Sequence, residues 1–331
     1  MKSFPSLRQR GLTLVELMVA MVLMLLVSLA TVGLFNISAT SFKTVDAGQE
    51  MQDNARFAME IIGQAARSAG YQDRTGPVTD GDMTDNVFGP TWIEEDSWRV
   101  QGVSNAQISG AGGTSLNFGS NNGVNKSDAL VMRFFGSNLP DPSNPAVAKF
   151  DGSNPVPDGS MIDCSGRSVP YPSGSLDVGV SGFFVKTLSD EPELYCISWN
   201  TETGKFSDTQ IIRGVESFQV MYGLDTVSPA DDVPDRWISA TTGWDAKTAT
   251  PNWNNVVAIR VGMVLRGPVG SAQGQSATAG ENDYYPLGQA FTCGTSCSSP
   301  EDGLKFTPAN PADGRLRRAF AATFMIRNAV Q

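Results

Sequence analysis

The chain has 331 residues, enough for one large or two small domains, with 40% apolar residues, frequent Gly, Pro, Ser and Asn, and a formal charge of −10. Histidine is absent, which removes Ser-His-Asp and Cys-His nucleophile pairs, the HExxH zinc helix and imidazole acid–base chemistry together. An acidic chain without a Lys/Arg cluster is also a poor partner for nucleic acid, whose phosphates are contacted chiefly by such clusters.

The first element is a short leader carrying Lys2, Arg8 and Arg10, followed by an apolar run from Leu12 to Phe35 broken by one acid, Glu16. A cleaved secretory signal has an apolar core of only about 7–15 residues, shorter than this run. A plain inner-membrane anchor fits the length and the basic leader, since about 20 apolar residues span a bilayer, but it gives no reason for the acid. A carboxylate at the centre of such a helix costs roughly 2.5–3.5 kcal/mol, so a chain that keeps one has use for a partner.

The stretch GLTLVELMVAM resembles the type IV pilin processing motif. That resemblance implies cleavage by a prepilin peptidase after Gly11, a methylated new amino terminus at Leu12, and Glu16 as the fifth mature residue. Most members of that family begin the mature chain with Phe, whereas this one has Leu12. Loss of the leader's three cations takes the formal charge from −10 to −13.

Beyond the apolar run, residues 43–69 keep apolar or small residues at helical spacing: Val45, Gly48, Met51, Ala55, Ala58, Ile62, Ala65 and Ala69. One helix is therefore predicted from Leu12 to about Ala69, ended by Gly70, with two helices split near 36–41 as the alternative. The expected units are a leader (1–11), a membrane-spanning and assembly half (12–35), an amphipathic half (36–70) and a periplasmic β-rich body (71–331).

Turn residues dominate from Tyr71 to about Lys126, where loops and small strands are expected. Strands are then predicted at Ala129–Phe135, Gly182–Lys186, Glu193–Trp199, Gln210–Ile212, Val215–Tyr222, Val256–Leu265 and Leu316 to about Arg327. The order reads as α+β: a long N-terminal helix packed through its second half on an antiparallel β-sheet with large loop insertions.

The four cysteines, Cys164, Cys196, Cys293 and Cys297, are an even set in a body that would face the periplasm, where disulfides persist. Three connectivities are possible. A tight turn at Gly294 favours Cys293 with Cys297, which leaves Cys164 with Cys196; a zinc site is the rival reading.

No GxxxxGK[ST] loop occurs, nor a GxGxxG turn between strand and helix, and no metal or cofactor is implied. Glu94, Glu95 and Asp96 are adjacent acids of the kind found in solvated loops. Asp225, Asp231, Asp232 and Asp235 crowd one loop, yet lack the spacing and closing Glu of a calcium loop. Trp199, Trp237 and Trp253 read as core or sheet-edge packing before adhesive surface.

A narrower resemblance rests on QDNARFAMEIIGQAARSAGY (52–71), SDALVMRF (127–134), RGVESFQVMYGLD (213–225), NNVVAIRVGMVLRG (254–267) and RRAFAATFMIRN (317–328). These look like the PilW group of minor pilins, with Gln72 and Asp73 where members often carry a cysteine. The resemblance implies a non-enzymatic, low-copy subunit of a pilus priming and tip complex, related to the GspJ-like pseudopilins of type II secretion, which are the alternative. A membrane-anchored periplasmic enzyme or binding protein is a more distant one. Implied partners are other minor pilins, the major pilin, the prepilin peptidase, the inner-membrane assembly platform and a tip adhesin. Glu16 would pair with the amino terminus of an adjacent subunit. The implied location is the inner membrane before assembly and the pilus tip afterwards.

Overall fold

A computed structural model describes residues 13–71, 99–152, 154–170, 179–240, 253–272, 283–288 and 305–327. The first element is α1 (Leu14–Ser68), unbroken over 55 residues, so the single helix is observed and not the split one. At about 1.5 Å per residue it is roughly 82 Å long. Its buried residues are Ala47, Met51, Ala55, Ala58, Ile62, Gly63, Ala65 and Ala66. The packed stripe thus starts at Ala47, and Val45, expected within it, is exposed. Gly70 adopts a positive φ of 74° and its N–H donates to the Arg133 carbonyl at 2.8 Å, which ties the end of the helix to the body.

Small strands follow in the turn-rich region, β1 (Val100–Val103), β2 (Ala106–Ser109) and β3 (Asn117–Ser120), then β4 (Ala129–Phe134). Four short pieces, β5 (Pro140–Asp141), β6 (Asn144–Ala148), β7 (Phe150–Asp151) and β8 (Asn154–Pro155), pair as two ribbons. The long strands are β9 (Gly179–Leu188), β10 (Glu191–Asn200), β11 (Lys205–Arg213), β12 (Val215–Leu224), β14 (Val256–Arg266) and β15 (Arg317–Met325), with short β13 (Arg236–Ser239) before β14.

They build two antiparallel sheets where one was expected: a five-stranded sheet ordered β1-β4-β9-β10-β11 and a four-stranded sheet ordered β13-β12-β14-β15. The division falls at Gly214, between β11 and β12. There the backbone turns with φ 77°, and a Cβ would stand 2.6 Å from the Arg266 carbonyl oxygen, so only glycine fits the crossing. The sheets are fastened where β4 begins. Asp128 accepts from the Asn105 N–H (3.0 Å) and from the Val220 N–H of β12 (2.9 Å), while the Ser127 hydroxyl accepts from the Phe218 N–H (3.1 Å). Strands β4 and β12 are buried along their whole length, because each faces neighbours on both sides.

A second fastening joins the far end of the four-stranded sheet to the β9–β10 hairpin. Arg317 meets Glu216 (3.0 Å) and Asp313 (2.6 Å), and Arg266 meets Glu191 (2.8 Å) and Glu216 (3.3 Å). Breaking one partner of such a buried set is costly because it strands the others. Helix α1 packs on both sheets, touching β4 and β11 of one and β14 and β15 of the other.

Candidate assembly helix

The helix opens at Thr13. Its hydroxyl accepts from the Glu16 N–H (3.3 Å) while the Glu16 carboxylate accepts from the Thr13 N–H (2.9 Å) and hydroxyl (3.0 Å). This reciprocal cap satisfies orphan donors of the first turn and starts the helix at Leu14. The Thr-x-x-Glu spacing is legible in sequence, but the attention drawn by an acid in an apolar run hid its local partner.

From Leu14 to Phe35 every large apolar side chain is exposed, for example Met24 at 73% and Phe35 at 72%. The helix is long and apolar enough to cross a membrane, and its most apolar 18-residue window has nothing buried against the body. The hydroxyls in this stretch do not need water: Ser28 donates to the Met24 carbonyl at 2.8 Å and Thr31 to the Val27 carbonyl at 2.7 Å. Such a surface, apolar all round and free on every side, has no place in water.

Thr44 marks the change. Its hydroxyl donates to the Ser271 carbonyl of the body at 2.9 Å, and the buried stripe begins three residues later. Close approach is made at Gly63, where a Cβ would lie 2.6 Å from Phe324 Cε1 of β15. Sequence reading passed over Gly63, since a lone glycine in a helix gives no sign of which element it meets.

Among the other expected sites, Cys164 and Cys196 form a disulfide with Cα atoms 5.9 Å apart, which joins the loop before β9 to β10. Gly11, Leu12, Cys293, Cys297 and the acids Glu94, Glu95 and Asp96 lie outside the described residues. In the aspartate loop, the Asp225 carboxylate accepts from the N–H groups of Asp231 (2.9 Å) and Asp232 (2.8 Å), and Asp235 accepts from the N–H and hydroxyl of Thr226, both at 2.8 Å. These carboxylates serve the turn itself, and among the described residues no group of acids is arranged to hold a metal ion. Trp199 and Trp253 are buried, and Trp237 packs beside Met221 and Leu287.

Comparison with known proteins agrees with this division. Residues 182–328 match the family Type IV Pilus-assembly protein W (PilW), and residues 6–32 match the prokaryotic N-terminal methylation motif. No curated protein matches the chain. Among solved structures it is similar to a type IV-like pilin, TTHA1219 from Thermus thermophilus. The identity is 14% and the TM-score 0.38, over 85% of this chain and 100% of that one. It is also similar to a chain of the GspK-GspI-GspJ complex from the enterotoxigenic Escherichia coli type 2 secretion system, at 11% identity and a TM-score of 0.28, covering 66% and 88% respectively.

A capped, free apolar half-helix that lies largely within a methylation motif, with its other half packed on antiparallel sheets, is the α+β architecture of a type IV pilin-like protein. The chain thus carries a PilW region over its later strands and a methylation motif at its start. The motif and the apolar helix fit a membrane-anchored pilin.

Proposed function

We propose that the chain is a minor pilin of a type IV pilus, a low-copy subunit of the priming and tip complex on which major subunits are added. The observation that carries this reading is the free apolar half of α1 with Glu16 in its first turn, within a methylation motif that also spans Gly11 and Leu12. Prepilin peptidase would cut after Gly11, Leu12 would become the methylated amino terminus, and the body from 71 onward would face the periplasm. Residues 12–35 would hold the subunit in the inner membrane and then pack among the helices of other minor and major pilins on the assembly platform.

In this reading the carboxylate of Glu16 answers to two partners. The Thr13 cap is worth about 1 kcal/mol, well short of the roughly 2.5–3.5 kcal/mol that a membrane-buried acid costs at a helix centre. The cationic amino terminus of an adjacent subunit supplies the remainder when helices pack.

The test is a pair of variants in cells that carry the companion pilins. Gly11→Val should leave full-length, leader-bearing protein in the inner membrane and reduce piliation. Glu16→Ala should be cut and inserted normally but recovered less with its companion minor pilins, with fewer surface pili. A mature terminus other than Leu12 would reject pilin-type processing, and normal recruitment and piliation by the Glu16→Ala variant would reject the role given to Glu16. Co-purification with secretion pseudopilins in place of pilus subunits would assign the chain to the GspJ-like alternative.

A further inference from the structure

One face of the packed half of α1 carries a file spaced by threes and fours, Asp46, Glu50, Asp53, Phe57, Ile61 and Gln64. The first three are exposed acids, and none of them makes an ion pair among the described residues. Phe57, at 55% exposure, is a large aromatic left open on a helix whose opposite face is fully packed. It stands at the mouth of a cleft of about 330 Å³, walled by Phe57, Ile61 and Ala65 of α1, by the loop around Cys164, and by Ile211 of edge strand β11. No Lys or Arg is among the residues that line the cleft, and Asp163 is. The cleft itself is mainly apolar, and the three acids lie outside it, farther along the same face of the helix, with Lys43 three residues before Asp46.

We infer that this cleft is a docking site for a basic, amphipathic segment of a different pilin-like subunit, with a large apolar side chain seated against Phe57 and Ile61 and Lys or Arg residues laid along Asp46, Glu50 and Asp53. Charge complementarity selects the occupant. A second copy of this chain brings a formal charge of −10, or −13 without its leader, and like charges laid together oppose self-association. The partner class rests on the pilin reading above; the basic character rests on the three exposed acids of the helix face.

The test uses the full chain in cells with its companion pilins, with Phe57 replaced by p-benzoylphenylalanine. Irradiation should give an adduct with another pilin-like subunit, the crosslinked peptide carrying Lys or Arg. The triple variant Asp46→Lys, Glu50→Lys, Asp53→Lys should lower the adduct yield about tenfold. In parallel, the detergent-purified full chain is titrated with a synthetic amphipathic helix bearing one Phe and a lysine face, and with its glutamate counterpart. The lysine peptide should bind about tenfold more tightly, and the triple variant should abolish that preference. An adduct with a second copy of the chain, equal binding of the two peptides, or a preference that survives the charge reversal would overturn the inference. Leader cleavage after Gly11 is followed in the same cells: its loss counts against the pilin reading, whereas intact cleavage with a failed adduct counts against the cleft alone.

Discussion

The two halves of α1 are one continuous helix with opposite relations to the rest of the molecule. Up to Phe35 the side chains are apolar on all sides and pack against no part of the body; from Ala47 onward one small-residue face is buried and the other is charged. The glycines show the contrast most directly. A Cβ at Gly33 would meet nothing within 4 Å, while one at Gly63 would meet the Phe324 ring at 2.6 Å. Helix propensity is similar throughout, so the difference lies in what each half meets: no part of the body for the first, two sheet surfaces for the second.

If that division is right, changes in the body and in the packed half should alter thermal unfolding of the full chain in detergent, and changes in the free half should not. The largest effect is expected from Cys164→Ala with Cys196→Ala. The bridge closes a loop of sequence separation 32, and its loss should cost about 4 kcal/mol in the chain-entropy model without changing membrane insertion. An unchanged melting temperature would show that the strands hold this loop unaided.

Next comes the glycine pair. Gly63→Val should cost about 2–3 kcal/mol by overpacking against Phe324. Gly33→Val should leave melting within about 0.5 kcal/mol of the parent, since valine also improves on glycine as a helix former. Equal effects at the two positions would break the comparison.

The smallest effect is a pH dependence confined to the body. Burial pushes the Asp128 carboxyl up to about 7, against the opposing pull of the Val220 and Asn105 N–H groups. The folded state therefore holds this proton more tightly than the unfolded chain. Stability from this group is complete below the ordinary aspartate range near pH 3.8 and is lost as pH rises toward and through 7. Between pH 7 and 5 the gain on acidification should be about 2 kcal/mol, and Asp128→Asn should flatten it. The depressed carboxyls of Asp141, Asp235 and Asp283, each lowered first by hydrogen bonds to neighbouring residues, act in the opposite sense and below that window. A variant whose pH profile matches the parent's would place the source elsewhere.

The sequence by itself determined the long helix, to within two residues at its start and one at its end, together with most strands, and among three connectivities it favoured the Cys164–Cys196 pairing that the structure shows. These are local or nearest-neighbour properties: an apolar run, a period of 3.6, a glycine stop, β-branched and aromatic runs between turns, and a short list of thiols. Only the tertiary structure decided that the strands form two sheets divided at Gly214, that Gly63 is a contact point, and that Asp128 ties β4 to β12. It also decided that the stripe of α1 begins at Ala47 and not Val45, and that Phe57 is left at the mouth of a cleft. Each of these depends on which distant segment arrives opposite a residue. Side-chain periodicity fixes the direction a residue points along its own element and carries no record of what stands across from it.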